Sequence, residues 1–163
     1  MRIHWKLGSV MIFCLASCTA SDQGDAPQAS TKGMMADHVQ PTAEVYWNAV
    51  QYISDADGSR EIIPENEAEW QRTAQAAQKL KQLGEDLKLT KYAANKGTDW
   101  KDFAQGLVDA AGQAEQAAQA HSPEKVLEAG GILYNVCSAC HEVYMPAPGG
   151  LAPTDQGNPI TSE

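Results

Sequence analysis

Residues 122–144 read SPEKVLEAGGILYNVCSACHEVY and carry the strongest structural signals of the sequence. Ser122 followed by Pro123 is typical of a helix start, because serine caps the first free N–H groups and proline fits the first helical position. Apolar residues such as Leu133 then recur at helical spacing as far as Tyr144. The sequence therefore predicts a long helix that ends near Tyr144.

The most specific signal in this helix is the motif Cys137-Ser138-Ala139-Cys140-His141. Each cysteine thiol can add to one haem vinyl group, and the histidine that follows is then held beneath the iron as its proximal ligand. A zinc site is a competing interpretation of the cysteine pair, but it would need a second pair of ligands. A thioredoxin-like pair sits at a strand-to-helix turn, which is not predicted here. The motif predicts one covalently bound haem c with its iron on His141.

The position of the motif limits where a second axial ligand can come from. His141 lies only 22 residues from the C-terminus, and Met145 is the only later methionine. Met145 is one turn beyond His141 on the same helix, so it cannot reach the other face of the haem. A sixth ligand has to come from upstream.

Three further helices are predicted before this one. The first runs from Lys32 to Ser54 and is kinked or restarted at Pro41. The second starts at Asn66, a good N-cap, and runs to Leu83, where the next residue, a glycine, closes it.

The third predicted helix begins after Thr98 and continues through the alanine-rich run AAGQAEQAAQA. Residues 55–59 form a break, residues 85–97 carry little pattern, and no strand alternation is found. We expect an all-α fold over residues 32–145, a four-helix bundle with haem near the C-terminal end of its last helix.

The two ends of the chain differ in composition from this unit. Residues 1–17 have a basic start and a short apolar run, which is typical of a signal peptide. Leu15-Ala16-Ser17-Cys18 resembles the lipobox of bacterial lipoproteins, so Cys18 is the predicted lipid anchor. Residues 18–31 are predicted to be a flexible tether, and residues 146–163 a disordered tail.

The charge of the chain limits its partners. Removal of residues 1–17 takes away Arg2 and Lys6 but no acidic residue, so the formal charge moves from −9 to −11. An acidic surface argues against nucleic acid and against polybasic docking on anionic lipid. It is compatible with a basic redox partner protein, and a homodimer stays open.

The chain resembles the class II cytochromes c, which include cytochrome c′ and its low-spin relatives. The matching pieces are CSACHEVY at the end of the last helix, MADHVQPTAEVYW in the first, EAEWQRTAQAAQKL in the second and TDWKDFAQGLVDAAGQAEQAA in the third. The resemblance implies a four-helix bundle. It also implies that Met35, six residues before Pro41, is the distal ligand, with Met34 and His38 as alternatives. Family members often carry a basic residue four positions after the haem histidine, where this chain has Met145.

The function that follows is one-electron transfer rather than catalysis. Iron bound by both His141 and Met35 has no open position, and no distal acid–base pair suggests a peroxidase. The alternative is a five-coordinate haem that binds nitric oxide or carbon monoxide, as cytochrome c′ does. The lipid anchor implies a periplasmic, membrane-tethered protein, and Thr19 rather than aspartate after Cys18 favours the outer membrane.

Overall fold

Helices make up most of residues 30–145, which are the residues that the computed structural model describes. In chain order the elements are α1 (Thr31–Met34), a π-helical segment (Met35–Val39), α2 (Gln40–Trp47), β1 (Gln51–Asp55), β2 (Gly58–Ile62), α3 (Glu67–Leu87), α4 (Thr90–Ala93), α5 (Trp100–Gln119) and α6 (Pro123–Tyr144). None of these helices combines the length and the apolar character that a membrane span requires.

The first helical segment begins close to the predicted place but ends earlier. The side chain of Ser30 caps α1 by accepting a 2.9 Å hydrogen bond from the Gly33 N–H. The predicted tether therefore ends before Thr31, the first residue of α1. Instead of a sharp kink at Pro41, the five residues Met35–Val39 form a π-helical turn. The helix stops at Trp47 rather than at Ser54, so this boundary was wrong.

A β-hairpin occupies residues 51–62, where no strand was predicted. Asp55 pairs with Gly58 across a two-residue turn, and Gly58 has φ of +118°, which favours glycine. The Asp55 carboxylate accepts from the Asp57 N–H at 3.0 Å and pairs with Arg60 at 2.6 Å. Both strands are short and largely exposed, so they lack the alternation of apolar and polar residues that identifies a half-buried strand.

Helix α3 starts as predicted and runs further than predicted. Asn66 accepts a 3.1 Å hydrogen bond from the Glu69 N–H and so caps the helix. The helix continues past Gly84 to Leu87. Gly84 is buried against α5, so it permits close helix packing and does not end the helix, contrary to the prediction.

The start of α6 confirms the predicted cap, since the Ser122 hydroxyl accepts from the Lys125 N–H at 3.4 Å. Helix α5 begins at Trp100, after the predicted Thr98. The unassigned stretch between α3 and α5 contains only the short helix α4.

Helix packing brings α5 between two neighbours. Helix α3 packs along α5, α5 packs along α6, and α2 contacts both α3 and α6. Buried alanines on α5 allow the close approach, and they are Ala104, Ala110, Ala111, Ala114, Ala117 and Ala118. The larger core side chains include Tyr46, Leu80 and Leu133, each about 1% exposed. Residues 30–145 are thus mostly helical, as expected, with one added hairpin.

Several predictions concern residues outside 30–145. These are the signal peptide of residues 1–17, the lipid anchor Cys18, most of the tether and the tail of residues 146–163. They stay predictions.

Candidate functional site

Helix α6 carries the three residues of the predicted haem motif on one side. Cys137, Cys140 and His141 are spaced three and four residues apart, which places their side chains on the same helix face. All three are half-buried. The two cysteines are not joined in a disulfide. Both thiols and the imidazole are therefore available on one surface of the last two turns of α6.

This surface lines a cavity of about 430 Å³. That volume is within the range of roughly 300–1,000 Å³ that is usual for cofactor pockets. The lining is mainly apolar and comes from the first helical segment, from α5 and from α6, with Leu87 of α3 and Met145 in addition. The residues of the first two elements are Lys32, Met35, Ala36, Val39, Gln40, Ala43, Trp47, Trp100, Phe103, Ala104 and Leu107.

The three candidate distal ligands occupy different environments. Met35 is half-buried and lines the same cavity as His141. Met34 is 5% exposed and belongs to the hydrophobic core, and it does not line the cavity. His38 is exposed and is also absent from the lining. Of the three, Met35 is the side chain that shares a cavity with His141.

Burial makes the two thiols poor nucleophiles at neutral pH. It raises the pKa of Cys137, and it raises the pKa of Cys140 to about 11, with the neighbouring Cys137 and Asp99 adding to the effect. Dithiol oxidoreductases need the opposite shift, because their attacking cysteine works as a thiolate. The surroundings of this pair are therefore unlike those of a thioredoxin-type site.

One edge of the site is formed by residues of the loop before α5. The Tyr144 hydroxyl donates to Asp99, and the Tyr144 ring stands edge-on to Trp100 with 4.9 Å between centroids. The ammonium of Lys96 lies 5.1 Å from the centre of the Trp100 ring and 5.3 Å from that of Tyr144. Lys96 therefore places a positive charge beside the cavity wall, although position 145, where related cytochromes often have a basic residue, is a methionine here.

Sequence reasoning missed Lys96 and Asp99 as neighbours of the motif. Both lie at or near the stretch of residues 85–97, where no hydrophobic period was found. The sequence signal that was available is Trp100, since an aromatic residue at a helix start often packs onto the neighbouring element. Trp100 is 3% exposed, and its indole N–H donates to the Leu87 carbonyl at 2.7 Å.

Gly130 makes room for a tryptophan. A Cβ atom at this position would lie 3.3 Å from Trp47 Cδ1. The indole N–H of Trp47 donates to the Gly130 carbonyl at 3.0 Å, which ties the end of α2 to α6. This contact also positions Trp47 as part of the cavity wall.

The residues that line the cavity fit a covalently bound haem. Two thiols, an imidazole and the thioethers of Met35 and Met145 border an apolar space of cofactor size. Within residues 30–145, no three His, Cys, Asp or Glu side chains converge as metal ligands. Haem iron needs only one or two axial side chains, so such a cluster is not required.

Comparison with known protein families, with curated proteins and with solved structures gives no match for this chain.

Proposed function

We propose that this chain is a c-type cytochrome that carries single electrons. One haem would be held by thioether bonds to Cys137 and Cys140, and His141 and Met35 would bind its iron. The observation that carries this proposal is that both thiols, the imidazole and the Met35 thioether border one apolar cavity. The sequence Cys-x-x-Cys-His gives that cavity its most specific chemistry.

The helices support the proposed architecture, a four-helix bundle of the class II cytochrome c type. Its four members would be the first helical segment up to Trp47, α3, α5 and α6. The haem motif occupies the last turns of α6, as the resemblance requires. The hairpin of residues 51–62 is then an insertion between the first two members.

Haem supplies the one-electron chemistry, because its iron changes between the ferrous and ferric states. Cys137 and Cys140 hold the group covalently, and His141 offers its imidazole from the same helix. The Met35 thioether favours the reduced state. Apolar walls such as Phe103 and Leu107 keep water from the iron, which also favours the state with less charge.

The proposed ligand set leaves no free coordination position, so we propose a carrier and not an enzyme. Its partners are other redox proteins. The lipobox-like residues that end at Cys18 support a periplasmic location with a lipid anchor, and Thr19 favours the outer membrane. The tether would let the domain move between partners near that membrane.

The test is to produce the mature protein together with a cytochrome c maturation system. We expect a coloured protein whose mass includes one haem, with a low-spin spectrum that contains the weak sulfur-to-iron band of the oxidised form. A colourless product with the mass of the bare polypeptide would falsify the proposal. Single Cys137→Ser and Cys140→Ser variants should each lose one thioether bond.

Met35→Ala and Met34→Ala form a matched pair for the distal ligand. Met35→Ala should lose the sulfur band and bind carbon monoxide. Met34→Ala should keep the band and lose about 2–5 kcal/mol of stability, because Met34 is a buried core residue. If wild-type protein already lacks the band and binds carbon monoxide, the five-coordinate alternative is correct and Met35 is not a ligand.

A further inference from the structure

The π-helical segment lies immediately before Pro41, and its first residue is Met35. The Gln40 N–H donates to the carbonyl of Met35, five residues back, where an α-helix would use the carbonyl of Ala36. π-Helical turns are rare in proteins and are frequent at functional sites. This one therefore needs a physical cause, and its position relative to Met35 needs an explanation.

Pro41 supplies the cause. Proline has no N–H to donate, and in an α-helix its ring collides with the carbonyl four residues earlier, here that of Asp37. A wider turn before the proline relieves that collision. The Thr42 hydroxyl then donates to the His38 carbonyl at 2.7 Å, which satisfies an acceptor in the widened turn.

The wider turn changes the direction in which Met35 points. An α-helix advances about 100° per residue and a turn with bonds five residues apart advances roughly 80°, so Met35 is rotated by about 90° relative to a continuous α-helix. In a continuous α-helix, the side chain of Ala36 would point in the direction that Met35 takes in the structure. Ala43 and Trp47, further along the same segment, also line the cavity, so this direction faces the site.

We propose that Pro41 is a positioning residue for the distal iron ligand. By imposing the π-helical turn, it directs Met35 toward the cavity that His141 also lines. Met34, one position earlier, is buried in the core, and Ala36, one position later, lines the cavity from a direction roughly 80° away from that of Met35. This inference rests on the proposed function, because it takes Met35 as a ligand of haem iron.

Pro41→Ala is the first test. Restoring an N–H at this position should let the segment relax to a regular α-helix, so the folded apoprotein should gain helix content and thermal stability. The same variant should still attach haem but should lose the sulfur-to-iron band and bind carbon monoxide, as Met35→Ala does. A residue with only a structural role would not combine greater stability with loss of the ligand.

Ala36→Met supplies a rescue test. In the Pro41→Ala background, Ala36→Met should restore the sulfur band, because position 36 then takes the direction that Met35 has in the wild type. In a Met35→Ala background that keeps Pro41, position 36 lines the cavity but points roughly 80° away from that direction, so the same substitution should give less of the band than the wild type shows. This second variant keeps the π-helical turn, so it gives an answer even if Pro41→Ala fails to mature.

The outcomes separate the two proposals. Wild-type protein without haem, or without the sulfur band, defeats the proposed function or its ligand set, and the inference about Pro41 falls with it. Wild-type protein with the band, together with a Pro41→Ala variant that retains it, overturns the inference alone. An Ala36→Met variant that restores the full wild-type band in the presence of Pro41 also overturns it.

Discussion

The hydroxyl of Tyr144 donates a 2.5 Å hydrogen bond to Oδ1 of Asp99, which joins the last turn of α6 to the residue just before α5. The carboxylate of Asp99 makes no capping bond to α5, so its hydrogen-bond partner is the Tyr144 hydroxyl. Tyr144 lies three residues after His141 on the same helix. The contact therefore holds the helical turn that presents the imidazole.

Tyr144→Phe should lower the free energy of unfolding by roughly 1–2 kcal/mol, since it removes a partly exposed hydrogen bond to a carboxylate. Urea denaturation of the folded protein measures this change. Tyr134→Phe is the matched control, because Tyr134 is 62% exposed, and no hydrogen bond to its hydroxyl is found within residues 30–145. Its effect should be within about 0.5 kcal/mol of zero. Equal losses in the two variants would contradict the prediction.

The same contact predicts a pH dependence at alkaline pH. Partial burial and the hydrogen bond to Asp99 raise the pKa of Tyr144 from 10.0 to about 12. Between these two values the unfolded chain loses the phenol proton and the folded chain keeps it, so stability falls as pH rises. The contribution is complete below pH 10 and is lost toward pH 12. Wild-type protein should lose more stability than Tyr144→Phe across this interval, and parallel curves would contradict the assignment.

Lys96→Gln should lower the reduction potential of the haem-loaded protein. The Lys96 ammonium lies beside Trp100, which lines the cavity, and loss of a nearby positive charge favours ferric over ferrous iron. Spectroelectrochemical titration measures the shift. Lys125→Gln is the control with the same charge change. Lys125 is 12 residues before Cys137 on α6, roughly 18 Å along the helix and beyond the Debye length of about 8 Å at physiological salt. Equal shifts of the reduction potential in Lys96→Gln and Lys125→Gln would show that only the net charge of the protein matters.

Local signals in the sequence predicted the helix starts well. Asn66 and Ser122 act as caps at the expected positions because a capping side chain needs only the first turn that follows it. The haem motif is equally local, since it was read from five consecutive residues. These features depend on residues within one or two turns of each other.

Features without a clear hydrophobic pattern were not predictable in the same way. The hairpin at residues 51–62 has little apolar alternation, and the position of Lys96 depends on how an unpatterned loop packs onto α6. Pro41 was expected to kink the helix or to make it restart, and the structure accommodates it with a π-helical turn. The choice of Met35 over Met34 came from the family resemblance, since helical spacing alone does not say which of two neighbours faces a cavity.

Gly84 was predicted to end a helix, and its true environment leads to a further prediction. A Cβ atom on Gly84 would lie 2.8 Å from Val108 Cγ2 and 3.2 Å from the Ala104 carbonyl oxygen, so alanine there forces α3 and α5 apart. Gly84→Ala should therefore reduce stability by about 1–3 kcal/mol, even though alanine favours the helix.

Gly112→Ala is the control for this overpacking effect. Gly112 is also inside a helix, and a Cβ atom there has no contact within 4 Å. This substitution should raise stability by roughly 0.5–1 kcal/mol, because alanine loses less backbone freedom on folding than glycine does. Thermal or urea unfolding of the two variants compares them directly. Because both changes add one methyl group to a helix interior, opposite signs would identify the contact with Val108 as the cause, whereas a stabilised Gly84→Ala variant would show that α3 and α5 are not this close.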